Sequence, residues 1–487
     1  MFLKIDTNIN TPIYLQIYQR IHDGIKSGQL TAEQRLPSVR VLASELNVAR
    51  GTIELAYQLL VSEGVLETKG AKGTFIAETI KNYPANGVKT CQEQKNTLIH
   101  KKAPPQLQQT HDCSVLRVND HSVSPFQLGI PALDAFPHKL WARLSAKILR
   151  DNHFDLLDYP SAQGVYSLRE GLARYLVVSR GIDCTPEQIF ICFGHRASLQ
   201  LIAQSLFTAG DVGWFEEPGY HFARDFLQQI GLKLIPVNVD EQGINVEQGI
   251  EIAPEVKFAL VTPTHQSPMN VTLTLARRLA LLEWANERGS WIIEDDYDGE
   301  FHYQGRPLPA LKSLDTQERV IYCGTFSKVL YPALRLSYIV VPSSYCDHFY
   351  STAKVIGNQC PSWQQEITSL FIQEGHFPRH LRKMRQLYRQ RRAFLIEAIK
   401  IKLNQVFEVQ LQAGGMHIIV KIINGIPASQ FIQLAKHNGI KIESLSDWSI
   451  NKKENDYLLL GFTNIKDKHE ALILCEKLNI ITQQLLL

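Results

Sequence analysis

A two-part α/β protein is what the sequence predicts: a small winged helix-turn-helix unit, a polar tether, and a large unit on a mostly parallel central sheet. Three observations carry this expectation. Two short helical patterns joined by a tight turn precede an alternating stretch around a glycine-lysine tip. A stretch rich in Gln, Asn, Lys and Pro follows, with no apolar period. Beyond it, short apolar runs alternate with helical segments to the C-terminus, the pattern of strands joined through helices.

The first unit covers residues 1–78. "PIYLQIYQRIHDGIKSGQL" places Ile13, Ile17, Ile21 and Ile25 on one helical stripe. Ser38 can cap a second helix carrying Val39, Leu42 and Leu46. After the short connection "NVAR", a third helix starts near Arg50, turns Ile53, Ala56, Tyr57 and Leu60 inward, and ends at Gly64. "VLETKGAKGTFIA" alternates like a hairpin wing. Arg50, Thr52 and Glu54 are the outward positions at the start of the third helix, where such a helix meets base edges. Arginine can bond guanine bidentately, and threonine can meet a base methyl or a phosphate. Charge alone does not decide the matter, because residues 1–78 hold eight Lys/Arg and eight Asp/Glu. A packing domain without nucleic acid stays open on these residues.

"QRLPSVRVLASELNVARGTIELAYQLLVSEGVLETKGAKGTFIA" closely resembles the GntR-type winged helix. The matching features are Arg35-Leu36-Pro37-Ser38, Arg40, "NVARGT", Tyr57, "EGVL" and Gly73. The resemblance implies that Arg40, Arg50, Thr52 and Gly73 contact double-stranded DNA. Arg35 and Ser38 of the same motif are placed in that set.

Residues 79–124 form the expected tether. Residues 79–110 hold five Lys and one Glu, an excess that can meet DNA phosphates weakly, although a plain soluble linker is the simpler reading.

From residue 125 to 487, "QIFICFG", "DVGWFEEP", "KLIPVNV", "FALVTP", "SWIIEDD", "VIYCGTF" and "LSYIVVP" are the expected strands. Sites in such sheets lie at strand C-terminal ends. After "SWII" stands Glu294-Asp295-Asp296-Tyr297-Asp298, acids too dense to sit together without a cation or a site. After "IFICFG", His195-Arg196-Ala197 opens a helix whose amides can cradle phosphate. After "VIYCG" comes Thr325-Phe326-Ser327-Lys328. An amine, a carboxylate, a phenol and an anion cradle are the groups a pyridoxal phosphate site needs. A lone lysine in an apolar stretch would ordinarily be a snorkelling one; four such groups at successive strand ends are harder to explain structurally.

"IIEDDYDGEF" and "IYCGTFSKVLYPALRLSYIVVP" are similar to the MocR/GabR subfamily of GntR-type regulators, which join a winged helix to a fold-type I, aminotransferase-like domain. The resemblance implies a smaller C-terminal α+β subdomain at roughly 365–487 and pyridoxal 5'-phosphate held as an internal aldimine on Lys328. It places Asp295 at the pyridine nitrogen, Tyr297 at O3′, Arg335 on the phosphate and Tyr220 against the ring. Gly194, His195 and Arg196 fall on the phosphate-binding helix start, where the family often has smaller or amide residues. Thr325 and Ser327 add phosphate hydrogen bonds, and Tyr159 reaches the phosphate of a neighbouring subunit.

Three motifs depart from the family pattern. Pro268-Met269-Asn270 replaces Pro-Thr-Gly after His265-Gln266-Ser267, and asparagine tolerates left-handed backbone. Glu300-Phe301-His302-Tyr303 replaces Glu-Phe-Arg-Tyr. Leu458-Leu459-Leu460-Gly461-Phe462 replaces Leu-Arg-Leu-Gly-Phe, so Leu459 stands where a carboxylate-clamping arginine is usual. Arg143 and Arg224 are the candidates to substitute.

The expectation for the whole chain of 487 residues is a homodimeric transcriptional regulator that responds to an amine, amino-acid or vitamin B6 effector. The alternative is an active aminotransferase with a fused DNA-binding domain, against which Leu459 argues. A third reading is a domain that only dimerises. No apolar run of about 20 residues and no signal-peptide pattern occur, which predicts a soluble, cytoplasmic protein without a membrane partner. Eight scattered cysteines lack metal spacing and are expected reduced, with no metal site.

Overall fold

The computed structural model describes residues 11–82, 123–150, 156–303, 309–450 and 456–486. The chain forms two compact units, Met1–Gln109 and Thr110–Leu487. Most of the tether expected over 79–124 lies outside the described residues.

In the first unit, α1 spans Ile13–Lys26, α2 Val39–Leu46 and α3 Arg50–Ser62. Ser38 starts α2 as anticipated, its hydroxyl oxygen accepting from the Val41 amide at 3.3 Å. Asn47 ends α2 in the left-handed region, φ 52°. This permits the turn into α3 without glycine. Gly64, φ 72°, follows the end of α3. Strands β1 (Leu66–Thr68) and β2 (Thr74–Ile76) pair antiparallel as the wing. Ile17, Ile21, Leu42, Ile53, Ala56, Tyr57 and Leu60 close the core. Ile13, Ile25, Val39 and Leu46 are only half-buried at its rim.

The second unit is organised by an eight-stranded sheet. Its strands are β3 (Ile189–Cys192), β4 (Val212–Glu217), β5 (Lys233–Asp240), β6 (Gly243–Ile244), β7 (Phe258–Val261), β8 (Trp291–Asp296), β9 (Val320–Thr325) and β10 (Ser337–Val340). The spatial order is β3-β10-β9-β8-β7-β4-β5-β6. The pairs β5–β4, β4–β7, β7–β8 and β8–β9 are parallel. The pairs β9–β10, β10–β3 and β5–β6 are antiparallel. The central strand β7 is fully buried, which is why it appears in sequence as a continuous apolar run rather than an alternating one. Helix α4 (His138–Arg150), α5 (Tyr166–Arg180), α6 (His195–Leu206) and α7 (His221–Gln229) include the connections that flank this sheet.

A second sheet has the order β11-β12-β14-β13. It comprises β11 (Phe407–Gln410), β12 (His417–Ile422), β13 (Glu443–Ser444) and β14 (Tyr457–Gly461), all antiparallel. The helix His376–Lys402 leads into it, and the helix Lys468–Leu486 packs against that long helix. Among the described residues, no helix is long and apolar enough to cross a membrane.

Candidate cofactor cavity and DNA-facing surface

The dense acids at the end of β8 separate by partner. Glu294 accepts from the amides of Leu311 and Lys312 at 2.7 and 2.8 Å. Burial still pushes its carboxyl up to about 7. Asp296 forms a buried ion pair with Arg180 and accepts from the Tyr322 hydroxyl at 2.6 Å. Asp298 meets His265 Nδ1 at 2.9 Å. These three hold the sheet end together. Asp295, two positions before Tyr297 on an extended segment, faces a cavity instead.

That cavity, of about 250 Å³, is lined by His195, Tyr220, Asp295, Tyr297, Thr325, Ser327, Lys328 and Arg335 from the large sheet's strand ends. Lys328 Nζ donates to the Gly129 carbonyl at 2.8 Å. Desolvation by the surrounding protein lowers its pKa, while Asp298, Asp295 and Glu443 oppose that effect. The Tyr297 hydroxyl is buried without a well-aligned hydrogen-bond partner, although the Ser267 hydroxyl acts on it, and burial drives its pKa well up. Asp295 Oδ2 lies 2.9 Å from His195 Nε2. Arg335 is exposed towards the cavity, adopts φ 52°, and donates only a long bond of 3.4 Å to the Phe193 carbonyl. Thr325 Oγ1 accepts from the Ser327 amide at 3.1 Å, shaping the turn ahead of Lys328. Gly194 precedes α6 with φ 81° and ψ 166°. A Cβ there would come within 2.6 Å of Arg335 Nη2.

Two anticipated residues stand apart. Arg196 is exposed and sits 5.8 Å from the Phe222 ring rather than lining the cavity. Tyr159 is 88% exposed at the surface of its unit. Arg143 is exposed on α4, and Arg224 is buried against Asp225; neither lines the cavity.

Sequence reasoning missed a second set of lining residues: Leu128 and Gly129, Phe222, Met416, Lys441, Glu443 and Trp448. Gly129 has φ +70°, and a Cβ there would collide with Lys328 Nζ at 2.4 Å. A glycine ahead of the first helix of the large unit was the one local signal available. Leu128 stands next to that glycine, and the others come from the C-terminal sheet and its flanks or from beside Tyr220.

The departures have structural outcomes. Asn270 takes φ 55° and donates to the His417 carbonyl at 3.2 Å, so the turn is retained with asparagine at the glycine position. Leu459 is fully buried with Ile419, Leu445 and Trp448. It is an apolar floor beside the cavity.

In the first unit, Arg35, Arg40 and Arg50 are exposed. The ion pairs among its described residues are His22–Glu63 and Lys69–Glu67, so these three arginines face solvent without a carboxylate partner. Thr52 is half-buried one turn into α3. Gly73, φ +106°, carries the wing so close to Arg35 that a Cβ would lie 3.1 Å from its Nε. The Tyr57 hydroxyl donates to the Pro37 carbonyl at 2.9 Å, tying α3 to the approach to α2.

A winged helix with an unpaired arginine face, joined in one chain to a strand-end lysine cavity, defines a class: DNA-binding regulators carrying an aminotransferase-like domain. Comparison with known proteins agrees. Residues 13–76 match the gntR family of bacterial regulatory proteins, and residues 133–438 match aminotransferase class I and II. The chain is 32% identical over 469 residues to the probable rhizopine catabolism regulatory protein MocR of Rhizobium meliloti, covering 96% of this chain and 93% of that protein. It is 28% identical over 454 residues to the pyridoxine biosynthesis regulator PdxR of Corynebacterium glutamicum, covering 93% and 92%. An archaeal alanine:glyoxylate aminotransferase structure superposes with a TM-score of 0.69 at 26% identity, covering 74% of this chain and 91% of that one. The chain belongs to the MocR-type regulators of the gntR family, and it is a DNA-binding transcriptional regulator with an aminotransferase-like domain. Class I and II aminotransferase folds are typically pyridoxal-phosphate-dependent.

Proposed function

We propose that this regulator holds pyridoxal phosphate in the cavity around Lys328 and changes its operator affinity when an amine, amino acid or vitamin B6 compound engages that site. The convergence of Lys328, Asp295, Tyr297 and Arg335 on one cavity is the observation that carries the reading. When bound, the cofactor supplies an aldehyde that combines reversibly with primary amines, and a ring that accepts electron density.

The chain's own residues divide the work. Lys328 offers the attaching amine, and its lowered pKa raises the fraction that is unprotonated and nucleophilic. Asp295 lines the cavity and offers the carboxylate acceptor that a protonated ring nitrogen requires. The Tyr297 hydroxyl, without a well-aligned partner, can donate to the ring oxygen. Arg335, the start of α6 at Gly194 and His195, Thr325 and Ser327 form the anion end. Tyr220 provides an aromatic face. Arg196 borders this end, and Tyr159 serves a neighbouring subunit in a homodimer. Arg35, Ser38, Arg40, Arg50, Thr52 and Gly73 form the DNA face, with paired half-sites following from the dimer.

An effector can shift DNA affinity only through different affinities for two states of the protein. Among the described lining residues Arg335, assigned to the phosphate, is the one arginine; Leu459 and the placement of Arg143 and Arg224 away from the cavity supply none for an amino-acid carboxylate, which favours sensing over turnover. Operator titration of the full chain, with and without cofactor and a panel of amines, tests the coupling. Cofactor-dependent affinity that Lys328→Ala abolishes supports it; identical operator affinity under every condition overturns it.

A further inference from the structure

The cavity has two sides of different chemistry. The strand-end side carries the groups already assigned. The facing side is built by the C-terminal sheet and its flanks, including Met416, Lys441, Glu443 and Trp448. Here the anchored charge is a carboxylate. Glu443 opens β13, opposite Leu459 in the register. Its Oε2 accepts from the buried Trp448 indole at 3.1 Å. Its Oε1 makes no hydrogen bond among the described residues. Lys441 lines the same wall but forms no ion pair with Glu443 among those residues. Burial raises the Glu443 pKa, opposed by Lys441, Trp448 and Lys328. A partly desolvated carboxylate with one open oxygen is completed by a donor from the ligand.

The surroundings disfavour an acid at this end. Leu459 packs beneath it at 0% exposure, Phe222 lines the approach, and Arg335 is the one arginine among the described lining residues. Lys441 is the competing reader, suited to an anion. Its side chain has no hydrogen bond among the described residues, whereas Glu443 is held by Trp448, and a fixed group loses less freedom on binding.

Resting on the cofactor reading above, we propose that the effector is a small primary amine with a second cationic end, of the diamine class, and that Glu443 reads that second end. Glu443 is therefore a specificity residue, and an amino acid is the wrong ligand for this wall.

The test titrates the purified full chain, loaded with pyridoxal phosphate, with putrescine, n-butylamine and γ-aminobutyrate. Change in the cofactor spectrum and heat of binding are the two readouts. Putrescine is expected to bind about tenfold or more tighter than n-butylamine, the size of one added charge-assisted bond. Glu443→Gln should bring putrescine to the n-butylamine level and leave n-butylamine unchanged. Tightest binding by γ-aminobutyrate, equal binding of putrescine and n-butylamine, or a putrescine preference that survives in Glu443→Gln overturns the proposal. The wild-type series decides the matter even if the variant fails to fold. A chain that acquires no cofactor band overturns the underlying reading as well, which separates the two failures.

Discussion

Replacing Gly194 by alanine isolates how the backbone builds the proposed anion end of the cavity. Gly194 has φ 81° and ψ 166°, a region essentially reserved for glycine, and forcing a side chain into it costs on the order of 1–3 kcal/mol. The added Cβ would lie 2.6 Å from Arg335 Nη2 and 2.8 Å from Cζ. Those atoms end a flexible side chain, so the guanidinium yields. Moving it away from the phosphate position removes a charge-assisted contact worth about 1.5–3 kcal/mol. Cofactor affinity should then fall about tenfold to a hundredfold. Absorbance titration of cofactor-free protein with pyridoxal phosphate measures the loss, and a thermal melt reports the backbone cost separately. If the glycine acts through Arg335, the double variant Gly194→Ala with Arg335→Ala binds hardly more weakly than Arg335→Ala alone. Additive losses, or a Gly194→Ala protein that melts lower but binds cofactor like wild type, would refute the reasoning.

Other expectations follow from the same structure. Arg50→Ala should weaken operator binding by about 1–3 kcal/mol and relax specificity at one base position, as read by competition with variant operators. Tyr57→Phe removes the bond to the Pro37 carbonyl and should lower the stability of the winged helix by about 0.5–1.5 kcal/mol in a denaturant melt. Leu459→Ala opens a hole in the buried cluster beside the cavity and should destabilise the large unit by about 2–5 kcal/mol, seen in calorimetry. In cofactor-free protein, Lys328 has a lowered folded pKa, so between that value and the ordinary 10.5 the unfolded state binds more protons and stability rises with pH. Lys328→Met should accordingly be more stable than wild type below that window, with the advantage shrinking as pH climbs towards 10.5; an advantage independent of pH would contradict the assignment.

Much of the fold was legible because the central strands are short, fully apolar and stopped by chemistry-bearing residues. "SWII" runs into Glu294, Asp295 and Asp296, and "VIYCG" into Thr325; β8 and β9 end on Asp296 and Thr325. The same stops pointed to Lys328, Asp295, Tyr297 and, through the helix start at Gly194, to the end of the cavity that Arg335 lines. What stayed hidden lies where tertiary folding, not local pattern, sets position. Glu443, Lys441 and Trp448 come from a short strand and its turn in the C-terminal sheet, with no periodicity to mark them. Gly129 sits 199 residues from the lysine whose amine it accepts. The His195 ring also reaches Asp295, a contact that spacing along the chain cannot show. Arg196 points across Phe222 instead of into the cavity, because it sits one position further around α6. In the winged helix the inward face of α3 was readable from its spacing. The bare state of Arg35, Arg40 and Arg50 was not, since it depends on where the unit's acids lie in space.

The central claim is that Lys328 is the amine that holds the cofactor. The most direct measurement is the absorbance spectrum of the purified full chain and of Lys328→Ala, each after incubation with pyridoxal phosphate and removal of the excess. Wild type should show a band near the boundary of the visible and ultraviolet. The variant should lose that band, with the far-ultraviolet circular dichroism of the two proteins superimposable. The same band in both proteins, or in neither, would contradict that claim.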